Sequence, residues 1–220
     1  MRVLLTGADG ALGTVVAATF RAAGARVAAL HGARSDDDAA AGVFAAGDLA
    51  DPQNARTVVA RAASHLGGLD AVVHLVGGFK WLTVSDSVLE DWRGLYAANL
   101  ETAVATLQAA LPHLADGGAI VLVGANSAQP AGAGFGPYGA AKAGVARLAE
   151  ALAGELKPRG VRVNAILPAI IDTPQNRKDM PDADPASWTS PAAIADVIAF
   201  LAGAQARAIT GALVPVTNAA

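Results

Sequence analysis

The chain has no cysteine. Disulfides and thiolate metal sites are therefore excluded. The four histidines, His31, His65, His74 and His113, are scattered without ligand spacing, so no metal site is expected. Charge is sparse as well. Charged residues make up 16% of the chain, the net charge is −3 and no basic stripe is present. The electrostatic footprint of a nucleic-acid binder is missing. Hydrophobic residues reach 53%, yet no uncharged apolar run approaches the roughly 18 residues that suggest a membrane span. The N-terminus carries a single Arg and passes straight into an apolar run and a glycine loop. It lacks the three-part layout of a secretory signal, and we expect a cytoplasmic protein.

What the chain does contain is alternation. Short Val/Ile/Leu/Ala runs at 2–6, 26–30, 43–46, 71–76, 119–124, 161–167 and 213–216 have the character of strands buried on both faces of a parallel sheet. Helical patterns fill the gaps at about 11–23, 52–66, 87–114, 137–156 and 191–203. Asp51 before Pro52 and Ser190 before Pro191 are start signals. This predicts an α/β fold: one doubly wound, Rossmann-type parallel sheet of about seven strands with helices on both faces. The 220 residues suffice for one domain with a substantial core, and no repeat or low-complexity linker divides them. The stretch 168–190, rich in Pro and Asp, is expected to be an irregular loop or lid over a substrate.

The first strand runs directly into Gly7-Ala8-Asp9-Gly10-Ala11-Leu12-Gly13, and a helix follows. Strand, glycine turn and helix make the first half of a dinucleotide-binding unit. The glycines permit close backbone approach, and the helix N-terminus faces a pyrophosphate. The spacing is Gly-x-x-Gly-x-x-Gly rather than Gly-x-Gly-x-x-Gly. A plain strand-to-helix turn could use the same residues, but the flanking pattern favours the phosphate loop.

Beside a dinucleotide, Tyr138 and Lys142 acquire a redox role. Four residues apart on a helix, they share a face. An ammonium near a phenol favours its ionised form, so the pair reads as a proton donor tuned toward neutrality. Three tryptophans could serve a flat ligand. Core packing is the better reading for Trp92, whereas Trp81 and Trp188 fall on expected active-site loops.

These residues resemble the short-chain dehydrogenase/reductase family over essentially the whole chain. The resemblance implies the following roles. Gly7, Asp9, Gly10, Ala11, Leu12 and Gly13 would hold the pyrophosphate, and Asp48 with Leu49 the adenine. Val76 and Gly77 would end the fourth strand at the cofactor, where the family usually has Asn-Ala-Gly. Asn99 would position a water of the proton relay beside Lys142, with Tyr138 and Lys142 as the catalytic pair. Pro168, Ile171 and Thr173 would lie against the nicotinamide amide. The stretch from Asp172 through Trp188 is similar to the substrate loop of dihydropteridine reductases. Thirteen residues before Tyr138, where the family's catalytic Ser stands, is Ala125, and dihydropteridine reductases likewise lack that hydroxyl.

The resemblance implies an NAD(P)H-dependent oxidoreductase passing hydride to a small planar substrate, a quinonoid dihydropterin or a quinone. Phe79, Trp81, Ser127, Asn176, Met180 and Trp188 are the candidate substrate contacts. A ketone or 3-oxoacyl reductase is the alternative. A non-catalytic dinucleotide-binding regulator is a third reading, disfavoured because it need not keep the Tyr/Lys pair. Cofactor preference is divided: His31 and Arg34 could accept a 2′-phosphate, whereas Asp9 would repel one. The expected assembly is a homodimer or homotetramer through the helices near 87–114 and 137–156, which are rich in small residues. No nucleic acid and no membrane are expected as partners.

Overall fold

The computed structural model describes residues 1–218. Seven strands, β1 (Arg2–Thr6), β2 (Arg26–His31), β3 (Val43–Ala45), β4 (Leu69–His74), β5 (Leu114–Val123), β6 (Arg162–Pro168) and β7 (Leu213–Val216), form one sheet. Its order is β3-β2-β1-β4-β5-β6-β7, and every ladder is parallel. The apolar runs are strands because both of their faces are covered: Val3, Leu4 and Leu5 are wholly buried, as are Val72 and Val73.

Helices α1 (Ala11–Ala22) and α7 (Pro191–Ala202) pack together over one face. Helices α2 (Pro52–Leu66), α4 (Thr102–Ala110) and α5 (Gly136–Glu155) cover the other. Asp51 and Ser190 cap α2 and α7 through their side chains, with Pro at the first helical position of each, as the sequence predicts.

The single helix expected over 87–114 is instead α3 (Leu89–Tyr96), a π-helical turn at Ala97–Glu101, and α4. The side-chain amide of Asn99 donates to the Leu95 carbonyl at 2.8 Å. A side chain thus takes the acceptor that the helical ladder would use, and the ladder widens there. Helix α4 stops at Ala110 because Pro112 cannot continue it, and the chain enters β5 at Leu114, earlier than predicted. Trp92 is not core: it is half-buried, and its indole N–H donates to Ser87 Oγ at 3.0 Å. The stretch 168–190 is irregular only in part. Pro174 starts a short helix, α6 (Pro174–Asp179), capped by Thr173, and Pro185 starts a 3₁₀ turn. Prolines expected to resist regular structure occupy first-turn positions, where a missing N–H costs nothing.

Arg162 is buried on β6 and spends its guanidinium on the carbonyls of Leu201 (2.6 Å), Ala202 (3.3 Å) and Gly203 (2.9 Å). These are the last acceptors of α7, the negative end of its dipole. Arg162→Met keeps the stem but leaves those carbonyls unpaired, and should cost about 2 kcal/mol. Urea denaturation is expected to show a lower midpoint with an unchanged slope. An unaltered midpoint would contradict the capping role.

Candidate active site

Between β1 and β4 the sheet connections turn in opposite directions, and the loops after the two strands part to leave a crevice. Its floor is lined by Gly7, Gly10, Ala11, Leu12 and Gly13. Gly10 is extended and gives α1 no side-chain cap, so the first-turn N–H groups of Ala11, Leu12 and Gly13 have no partner within the helix. They offer an anion site. The turn requires its glycines: Gly7 has φ +64°, and a methyl on Gly13 would fall on the Gly7 carbonyl and 2.7 Å from the Ala8 Cα. Such a cradle fits a dinucleotide pyrophosphate.

A second cavity continues from this loop toward the end of β2, lined by Asp9, Gly32, Gly47, Asp48, Leu49 and Val76 among others. Asp48, Leu49 and Val76 therefore lie where the sequence places them. His31 ends β2 but is not part of that lining, a correction to its expected cofactor contact. Arg34 turns onto its own loop and donates to the Asp36 carbonyl at 3.0 Å.

Lys142 is buried on α5 and donates to the Val123 carbonyl at 2.9 Å. Burial pushes its ammonium down to about 8. Tyr138, half-buried one turn earlier, is pushed by burial up to about 12. The expected lowering of the phenol by Lys142 is thus reversed, because desolvation dominates; Lys142 Nζ stands 5.9 Å from the Tyr138 ring centroid. Asn99 lies beside the pair, but its carboxamide is spent. It donates to Gly78 O (2.9 Å) and Leu95 O and accepts from Gly78 N (3.2 Å). Its side chain clamps the loop after β4, next to Lys142. Gly77 must lack a side chain, since a Cβ would meet Asn99 Oδ1 at 2.6 Å and Lys142 Nζ at 3.1 Å.

Deeper, His74 bridges the two loops. Thr6 Oγ1 accepts from Leu75 N (3.3 Å) and donates to His74 Nδ1 (2.9 Å), while His74 Nε2 donates to Thr102 Oγ1 (3.4 Å), itself bonded to Ala98 O. Burial first, and Lys142 second, push His74 down to about 3, so it is neutral.

Beyond Tyr138 opens a cavity of about 620 Å³. Phe79, Trp81, Phe135, Tyr138, Ile170 and Met180 give it apolar walls. Phe79 meets Tyr138 edge-on, ring centroids 4.9 Å apart. Phe79 and Trp81 remain 58% and 57% exposed despite their size. Ser127 and Asn176 also line it, as expected, although Asn176 already donates to Ile171 O at 2.8 Å. Trp188 does not: it is 5% exposed and absent from the cavity lining, so its substrate role is withdrawn. Pro168 and Ile171 line the crevice together with Thr173.

Sequence reasoning missed Asn126, Phe135 and Asp179. Phe135, one turn before Tyr138, was findable from helical spacing. Asn126 was findable as the polar neighbour of Ala125. Among the described residues, neither the Asn126 carboxamide nor the Ser127 hydroxyl has a side-chain hydrogen bond. Ala125 itself is buried and offers no donor.

A family model described as enoyl-(acyl carrier protein) reductase matches residues 7–218. An uncharacterized NAD-dependent oxidoreductase of Mycobacterium tuberculosis is 31% identical over 194 residues, covering 79% of this chain and 70% of that protein. L-rhamnose 1-dehydrogenase (NAD(P)(+)) of Azotobacter vinelandii is 31% identical, with 96% and 92% covered. The crystal structure of a short-chain dehydrogenase/reductase (glucose/ribitol dehydrogenase) from Brucella melitensis superposes with a TM-score of 0.90 at 28% identity, covering 98% of this chain and 94% of that one.

The buried ammonium has a consequence for stability. The folded pKa of Lys142, about 8, lies below its ordinary 10.5, so between these values the unfolded chain binds more protons and the parent gains stability as pH rises. Lys142→Met removes the buried charge and should unfold no earlier than the parent at pH 7. Its advantage is expected to shrink as pH rises through 8 toward 10. Thermal midpoints across that range check this, and a gap that stays constant or widens rejects the buried-ammonium assignment.

Proposed function

The chain belongs to the short-chain dehydrogenase/reductase family of NAD(P)-dependent oxidoreductases, and from that premise we propose that its substrate is a small flat ring system of the quinonoid dihydropterin or quinone class. The observation that carries this reading is the aromatic-walled cavity in front of Tyr138, with Ala125 in place of a hydroxyl. A sugar, the substrate class in one relative's name, would set its hydroxyls against Phe79, Phe135, Ile170 and Met180, and each polar group buried without a partner costs free energy. A flat conjugated ring stacks on such walls. It also develops less localised oxyanion charge on reduction than a ketone, so one fewer donor matters less.

NAD(P)H, when bound, supplies the hydride. The loop from Gly7 to Gly13 holds the pyrophosphate, and Asp48, Leu49 and Val76 border the adenine. Pro168, Ile171 and Thr173 flank the nicotinamide end, where they line the crevice. Lys142, fixed by Val123 O, lines the crevice and would hold the ribose hydroxyls. Tyr138 enters the reaction protonated, since burial favours the phenol, and gives its proton to the ring atom that would otherwise carry negative charge. Asn126 and Ser127, with free polar groups, offer the substrate edge a donor and an acceptor.

We further infer that copies associate through α3 and α5. Val88, Leu89 and Tyr96 are exposed there, beside a shallow groove lined by Trp92, Pro137 and Ala140. Sedimentation at micromolar concentration is expected to show a dimer or tetramer, and a 21.8 kDa species alone would contradict this.

The substrate reading is tested by following NADH and NADPH oxidation with quinonoid dihydropterin, small quinones and activated ketones. Pterin or quinone turnover is expected to exceed ketone turnover, and the reverse order rejects the reading. Tyr138→Phe should retain cofactor binding and lose about 10²–10⁴-fold in turnover. Trp81→Ala should raise KM for the flat substrate more than it lowers kcat. A Phe variant running near the parent rate removes Tyr138 from the mechanism.

A further inference from the structure

The wall in front of Tyr138 is assembled from two separate segments, and they cross at a pair of glycines. The segment after β4 runs over the segment that leads into α5: Leu82 N donates to the Gly134 carbonyl at 2.8 Å, and Leu82 bridges Phe135. A glycine stands on either side of that residue, in Gly134-Phe135-Gly136. A Cβ on Gly134 would fall on Cε2 and Nε1 of the Trp81 indole and 2.6 Å from its Cζ2, and one on Gly136 would meet Val84 Cγ2 at 3.1 Å. The indole thus occupies the space that a side chain at 134 would fill. Gly134 lies at φ +80°, a conformation that by itself favours glycine. Gly24 and Gly67 lie at +76° and +75°, but each faces open space. The contact with Trp81 is a second demand for glycine at 134, independent of the turn.

We infer that Gly134 is a positioning residue: by having no side chain it seats Trp81, and so sets where the aromatic wall of the substrate cavity stands. The inference rests on the substrate reading of that cavity and deepens it, naming the position on which discrimination between flat rings and smaller substrates depends. Phe79, Trp81 and Phe135 line one cavity. Phe79 and Phe135 hold each other, ring centroids 5.9 Å apart, and Phe79 also meets Tyr138. Trp81 has no aromatic partner among the described residues and rests against Gly134. A side chain at 134 cannot be accommodated by parting the two segments, because the bond from Leu82 to Gly134 ties them one residue away. The indole must turn off its seat instead, toward the solvent that already covers more than half of Trp81. A flat ring then loses part of its wall. A substrate that does not reach Trp81 loses nothing.

The test combines Gly134→Asn with Trp81→Ala. Asn tolerates a positive φ better than other side chains and still carries a Cβ, so it separates the contact from the turn. Gly134→Asn should raise KM for the flat ring roughly three- to tenfold, the worth of one aromatic contact, and leave kcat near the parent's. In the Trp81→Ala background it should add nothing, because the group it displaces is gone. Without any substrate, iodide quenching of tryptophan fluorescence should be stronger in Gly134→Asn than in the parent, and equal in Trp81→Phe with and without Gly134→Asn. If Gly134→Asn does not fold, thermal midpoints decide. Recovery of folding in the double variant with Trp81→Ala supports the seat, and failure there too overturns it, leaving the turn as the sole demand for glycine. An equal rise in KM with and without Trp81, or unaltered quenching, also overturns it. A parent that reduces ketones and no flat ring rejects the substrate reading instead, and the quenching comparison then still decides the seat.

Discussion

The interaction on which the catalytic crevice depends is the single hydrogen bond from Lys142 Nζ to the Val123 carbonyl. A cation is kept almost out of solvent with no carboxylate paired to it among the described residues. The surroundings are arranged to tolerate it. His74, close enough to feel the charge, stays neutral and is satisfied on both ring nitrogens by Thr6 and Thr102. Gly77 carries no side chain, because a methyl there would press on both Nζ and Asn99 Oδ1. Asn99 in turn bonds both the N–H and the carbonyl of Gly78, which fixes the loop after β4 beside the ammonium. The groups around the buried charge come from β1, β4, β5 and the π turn.

That arrangement bears on the direction of chemistry. A lysine pushed down to about 8 and a tyrosine pushed up to about 12 describe a pair whose protons are both in place at neutral pH, yet whose lysine is poised to lose its charge. Such a site holds the proton that reduction requires, although burial makes the phenol a weaker acid than an ordinary tyrosine. The pair is governed by desolvation, and the lowering of the phenol expected from the sequence is not seen.

Much of this was legible in the sequence, for identifiable reasons. Strands inside a parallel sheet are buried on both faces, so β1 appears as a bare apolar run with clear limits. Tyr138 and Lys142 were legible because helical spacing is local, and the glycine loop because close approach leaves no other residue type possible. What was not legible depends on contacts distant in sequence. The break of the 87–114 helix follows from one side chain taking one carbonyl, which no periodicity records. Trp92 and Trp188 exchanged their expected environments, the first half-exposed and the second buried, because an indole's burial is decided by what packs over it. The sign of the Tyr138 shift required knowing how deep α5 lies. Asn126 carries chemistry only because the turn after β5, held by Asn126 N to Pro168 O at 3.0 Å, lies at the mouth of the cavity beyond Tyr138.

The two halves of the crevice are built differently, and this separates what the fold dictates from what it leaves free. The dinucleotide half is made from strand ends and the first turn of α1, elements locked into the central sheet. The substrate half is made from three connecting segments, around 79–82, 125–135 and 170–180. These are joined to one another and to their own flanks by isolated bridges such as Leu82 to Phe135 and Ile171 to Thr189. Trp81 lies against Gly134 in one such contact. Residues in these segments can change without disturbing a single ladder bond of the sheet. A relative whose name specifies a sugar can therefore share the sheet and the catalytic helix with this chain, while Phe79, Trp81 and Phe135 here present an aromatic wall. The segments that wall the cavity beyond Tyr138 lie outside the ladders of the central sheet.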